Sequence, residues 1–188
     1  MSKKTRNSII STLVSIALGL TMFLLHEGHM KKARETHSRL AAGISEMNTM
    51  MSELVDAANR GGAPEMLSYA RNNKPRAAEA ANKLRGACDY FEKVRVPRSL
   101  KDELAAVRAG IPEMRSFADS FEAMFGGVMI ESEFMSAAEQ MGIRAERLVA
   151  SDGFAYAEAN FMKELNRLNS RRRFLWLTVN NVQFTMDN

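Results

Sequence analysis

The chain is poor in residues that interrupt helices and in residues that do chemistry. Among 188 residues there is one cysteine, Cys88, so no internal disulfide can form. Four prolines and an aromatic content of 7% argue against an all-β chain, which needs many turns. There is no CxxC, CxxCH, HExxH or Gly-rich phosphate loop. The formal net charge is only +4, and both signs are spread along the chain. So mild and even a balance argues against nucleic acid as the partner. What the chain does have is Ala, Met, Leu, Glu, Arg and Lys, all strong helix formers. The expected fold class is all-α.

From Asn7 to Leu25 the sequence "NSIISTLVSIALGLTMFLL" carries no charge. A run of this length suits one helical crossing of a bilayer core about 30 Å thick. A basic tail, residues 1–6, precedes it. The run ends "MFLLHEGHMKKA" without a small-x-small cleavage site, so residues 7–25 read as an uncleaved transmembrane signal anchor. Lys3, Lys4 and Arg6 lie before it, and Lys31, Lys32, Arg34 and Arg39 after it. The positive-inside count nearly cancels and leaves the side of the membrane open.

Beyond the anchor, Met30, Ala33, His37, Leu40, Ile44, Met47, Met51, Leu54 and Ala58 recur at alternating spacings of 3 and 4. That is a heptad seam. Its central members, His37, Leu40, Ile44, Met47, Met51 and Leu54, are the expected dimer or bundle seam. Lys31, Lys32, Arg34, Glu35, Arg39, Glu46 and Glu53 fill the solvated face. "NRGGAP" stops this helix with a glycine cap and a proline.

The rest of the chain repeats the theme. Asn73 and Pro75 mark a helix start, and Ala77, Ala81, Leu84, Cys88 and Phe91 form the next row. Ser99 can cap a third helix, with Asp102 three positions on. There Leu100, Leu104, Val107, Ile111, Met114, Ala118, Phe121 and Phe125 form an unbroken row, with a kink expected at Pro112. Phe134, Ala138, Met141, Ala145 and Leu148 open the fourth. "SDG" disturbs its register, and Phe154, Ala157, Phe161, Leu165 and Leu168 resume it. The expected helices cover about 26–59, 65–94, 99–125 and 131–170. Short connections make sequential helices antiparallel neighbours, which predicts an up-down-up-down four-helix bundle over 26–170, continuous with the anchor. In the last segment, 171–188, Arg171, Arg172, Arg173 and Trp176 sit beside Phe174, Leu175 and Leu177. That mixture fits a membrane interface.

Few residues propose chemistry. All three histidines, His26, His29 and His37, fall in "HEGHMKKARETH". Only His26 and His29, at i and i+3, could chelate together, and zinc wants three or four ligands. They are the metal candidates by default, and the expected reading is no metal and no cofactor. His37 reads as a polar seam residue, able to set register or to respond to pH. Cys88 falls on a seam, and so do Met30, Met47, Met51, Met114 and Met141 among the fourteen methionines, where Met fills core gaps. No base and nucleophile converge, so no catalytic residues and no enzyme are expected.

An uncharged span, a charged exit, four heptad helices and the "RRR" return resemble the extracytoplasmic sensor half of bacterial chemoreceptors and sensor histidine kinases, in their four-helix-bundle class. The resemblance covers nearly the whole chain and rests on pattern. It implies a non-enzymatic signal-input domain with its bundle outside the cytoplasm. It further implies a homodimer through the first helix and a small-molecule ligand whose site the sequence leaves unknown. In that family a second span and signalling helices follow the bundle, whereas here the text after "RRR" turns polar at Asn180, Asn181 and Gln183. The alternative expectation is therefore a single-pass structural or accessory subunit of a larger membrane complex. Either way the partners are the lipid bilayer and another membrane protein or a second copy.

Overall fold

The structure is a computed structural model. It describes the backbone of residues 3–127, 131–150 and 153–184, and side chains at 15, 18–127, 132–141 and 153–171. It is all-α. The helices are α1 (Lys3–Asn72), α2 (Lys74–Lys93), α3 (Lys101–Gly126), α4 (Glu131–Ala150) and α5 (Phe154–Phe184). One turn of 3-10 helix, Arg98–Leu100, leads into α3. The chain divides into two compact units, Met1–Glu35 and Thr36–Asn188, and α1 contributes to both.

In the first unit the described apolar side chains from Leu18 to Leu25 are exposed. Among the described residues no helix is long and apolar enough to cross a membrane. The front of the uncharged stretch 7–25 lies outside the described side chains, apart from Ser15. Further along, Met30 and Ala33 are buried, while Lys31, Lys32, Arg34 and Glu35 are exposed.

In the second unit α1 breaks at Gly62, whose φ of 68° and ψ of −153° are open to glycine alone. There the chain doubles back. Along a straight helix Glu53 and Tyr69 would be about 24 Å apart, yet the Tyr69 hydroxyl donates a hydrogen bond to the Glu53 carboxylate. The "GGAP" stop is therefore a helical hairpin. Its first segment buries Thr36, Leu40, Gly43, Met47, Met50, Leu54 and Ala57. Leu40, Met47 and Leu54 are where the heptad pattern put them. The alternate positions are each one residue earlier: Gly43, Met50 and Ala57 are buried, and Ile44, Met51 and Ala58 lie half-buried beside them.

Asn73 separates the returning end of α1 from α2. Its side chain donates back to the Tyr69 carbonyl at 2.9 Å rather than forward into the helix, and Pro75 occupies the first turn. α2 buries Ala77, Ala80, Ala81, Leu84, Ala87, Cys88 and Phe91, the expected row with Ala80 and Ala87 added. α3 buries Leu104, Val107, Ile111, Met114, Ala118, Phe121 and Phe125 as expected, together with Met124. Leu100 is buried in the turn before it. Ser99 lies inside that 3-10 turn, so α3 starts without a side-chain cap, and Asp102 and Glu103 favour its positive end instead. Pro112 is accommodated within α3.

Cross-links show that α2 and α3 run in opposite directions. Lys74 meets the end of α3 at the Gly126 carbonyl, Arg85 meets Asp119, and Arg115 meets Asp89. The Arg108 guanidinium then donates to the carbonyls of Phe91, Glu92 and Val94, each at 3.0 Å. These are the carbonyls that a helix end leaves without partners. α4 and α5 both pack on α3. Phe134 and Met141 of α4 are buried, as are Phe154, Ala157, Phe161 and Leu165 of α5. Ala145 and Leu148 lie outside the described side chains. α5 continues as helix through the Arg-rich segment to Phe184.

Candidate functional site: a buried carboxylate and its polar neighbours

On α5, Phe154, Glu158, Phe161 and Leu165 follow one another at spacings of 4, 3 and 4, so all four share one helix face. Phe154 and Phe161 each make an edge contact with Phe91 of α2, both with centroids 5.6 Å apart. Glu158 lies between them in sequence, one turn from each, and its side chain is only 3% exposed. Among the described residues it is the one buried carboxylate. Its Oε2 lies 3.7 Å from Nε2 of His37 on α1, and the His37 side chain is 48% exposed. Its Oε1 has no hydrogen-bond partner among the described residues. Burial in this apolar setting pushes the Glu158 carboxyl up to about 7, because desolvation penalises the charged form.

A second polar cluster braces the hairpin. Arg76 of α2 pairs with Glu46, and its Nη1 lies 2.6 Å from Glu53 Oε2, which also accepts from Tyr69. The Tyr69 hydroxyl, then the Arg76 guanidinium, hold the Glu53 carboxyl below its usual range. Burial, with the Glu53 carboxylate next, pushes the Tyr69 hydroxyl up to about 12. Arg85 bridges Asp119 and Glu122 at 2.7 and 2.6 Å, and Arg115 reaches Asp89 and Glu92. These links tie neighbouring helices together and hold no exposed nucleophile. The Cys88 thiol is fully buried, and burial pushes it up to about 11, so it is poorly suited to act as one.

The structure disperses several residues that the sequence groups. His26 is buried and His29 exposed. Among the described residues no three His, Cys, Asp or Glu side chains are close enough to share a metal ion. Of the expected seam, Leu40, Met47 and Leu54 face inward, Ile44 and Met51 are half-buried, and His37 is exposed but reaches Glu158. Arg171 is exposed, while the side chains of Arg172, Arg173 and Trp176 lie outside the described residues.

Glu158 and Arg108 were not singled out by periodicity. A glutamate in a helix reads as solvated until its neighbours are placed. The sequence offers one signal: Phe154, Phe161 and Leu165 share a helix face with either Ala157 or Glu158 between them, and both of those are buried. Arg108 carries no sequence signal, since its partners are backbone carbonyls. Compared with known proteins, the chain matches no protein-family model, no curated protein and no solved structure.

Proposed function

We propose that this protein is a membrane-anchored, non-enzymatic signal-input module of the chemoreceptor type. Its α1 would leave the bilayer and enter an antiparallel up-down-up-down four-helix bundle on the extracytoplasmic side. The bundle's members are the first segment of α1 from Thr36, its return with α2, α3, and α4 with α5. The observation that carries the reading is the head of α1. Leu18, Leu20, Met22, Phe23, Leu24 and Leu25 are between 46 and 69% exposed, within a stretch that has no charge from Asn7 to Leu25. Contiguous exposed apolar surface of this kind calls for a cover, and lipid suits a helix that is apolar all round. Arg171, Arg172, Arg173 and Trp176 suit the headgroup layer at the other end of the chain.

The second copy in a homodimer would meet the outward column of α1. That column runs His37, Ala41, Ile44, Asn48, Met51, Val55 and Ala58, again at heptad spacing, and Val55 is 55% exposed. Asn48 in such a column suits a register-setting role. The same column supports a second reading, in which the chain is an accessory subunit and a larger membrane complex covers it.

Two measurements test this. Membranes bearing the full chain should retain it through alkaline carbonate extraction, and Leu20→Arg with Leu24→Arg should release it. Release of the parent chain sinks the anchor. Cysteines at Ile44 and Met51 should cross-link copies of the chain in membranes. Stoichiometric recovery with a larger assembly, and no cross-linked dimer, favours the accessory subunit.

A further inference from the structure

We propose that Glu158 and His37 form a proton-operated latch between α5 and the first segment of α1, closed while the pair holds at least one proton and loosened when it holds none. The inference stands on their geometry and does not depend on the sensory reading.

The carboxylate occupies a core position of α5, between two phenylalanines that pack on Phe91. A buried carboxylate is tolerated when it is neutral or when a cation compensates it. Its one ionisable neighbour within ion-pair distance is His37, among the described residues. Of the other charged groups on the surrounding helices, Arg34, Glu35 and Arg39 of α1 and Glu92 and Lys93 of α2 are exposed, and most of those on α3 and α5 are engaged elsewhere or exposed. On α3, Arg108 caps the end of α2 and Arg115 holds Asp89 and Glu92, while Asp102 is exposed and Glu103 half-buried. Arg98 of the 3-10 turn and Lys101 are exposed. On α5 itself Lys163 is exposed and Arg167 pairs with Glu164.

Three states follow. With two protons, a neutral carboxyl sits in the core and an imidazolium at its edge. With one, the pair is either a neutral acid beside a neutral imidazole or an ion pair. With none, an uncompensated anion faces a neutral ring in an apolar interior, and solvent must enter or α5 must withdraw. Burial holds the Glu158 carboxyl up at about 7, so its proton leaves within reach of ordinary pH changes.

The direction for stability follows from linkage. Folded Glu158 keeps its proton up to about pH 7, whereas an unfolded carboxyl releases it near 4.5. Between those values the folded chain binds more protons than the unfolded one, so stability falls as pH rises. This contribution is complete below the ordinary carboxylate range and gone above about pH 7.

The test uses the full chain in detergent micelles, unfolded thermally between about pH 5 and pH 8. The parent melting temperature should fall over this range by on the order of 10 °C. Glu158→Gln, which keeps the shape and cannot ionise, should melt with most of that slope removed. Equal slopes in the parent and Glu158→Gln overturn the proposal. Hydrogen exchange on the unmodified chain decides independently, even if the variant fails to fold. After correction for intrinsic rates, protection over residues 154–165 should drop above neutral pH while residues 77–91 keep theirs. Protection that is constant in both segments, or that falls equally in both, overturns the latch.

Discussion

Gly110 of α3 lies against the backbone of Phe154, so that a Cβ at Gly110 would stand 3.1 Å from both the Phe154 nitrogen and its Cα. Backbone atoms cannot swing aside as a side chain can. The contact brings the start of α5 close to α3, one turn before Glu158.

Gly110→Ala should therefore destabilise the protein. Overpacking costs about 1–3 kcal/mol, and the better helix propensity of alanine returns about 1 kcal/mol. Gly86 of α2 is the control, because a Cβ there meets nothing within 4 Å. Gly86→Ala should stabilise by about 0.5–1 kcal/mol. Urea denaturation of the two variants checks the opposite signs.

Gly62 turns the α1 hairpin at φ 68° and ψ −153°. A Cβ there would have ordinary clearance, its nearest neighbour being Pro64 Cδ at 3.9 Å, so the cost is conformational. Gly62→Ala should lose about 1–3 kcal/mol. A thermal melt unchanged from the parent would show that the reversal does not need this glycine.

Arg76 gives a pH dependence of opposite sign to that of Glu158. The Glu53 carboxyl is held below its usual range by Tyr69 and then Arg76. A depressed carboxyl contributes stability above the ordinary carboxylate range and loses it as pH falls through its lowered value. Arg76→Gln should cost about 1 kcal/mol at neutral pH, less in high salt because the cluster is partly exposed, and should shrink the acid-side loss. Melting curves from about pH 2 to pH 6 at two salt concentrations check this.

Cys88 is fully buried, with its thiol pushed up to about 11. Alkylation at neutral pH should be slow and should follow the rate of opening of the fold. A cysteine placed at the half-buried Ile44 should react much faster. Equal rates at the two positions would contradict the packing of α2.

The α3 row was legible from sequence because its column has no rival. Leu100, Leu104, Val107, Ile111, Met114, Ala118, Phe121 and Phe125 are all buried, and polar residues interrupt the adjacent columns. The α2 row was legible for the same reason. The first segment of α1 was legible only in part. There the adjacent columns are both largely apolar: Gly43 beside Ile44, Met50 beside Met51, Ala57 beside Ala58. Periodicity alone cannot choose between them.

Sequence by itself determined the all-α class, a break within "NRGGAP" and most of the inward columns, because helix propensity, glycine conformation and apolar spacing are local properties. Tertiary structure decided which α1 column is covered. A Cβ at Gly43 would lie 3.2 Å from the Ala80 carbonyl oxygen and 2.6 Å from Leu84, so the helices close on the column that holds a glycine. It also decided that Glu158 is a core residue facing His37. Whether a carboxylate is solvated depends on which helix lies over it, and that partner is 121 positions away in the chain.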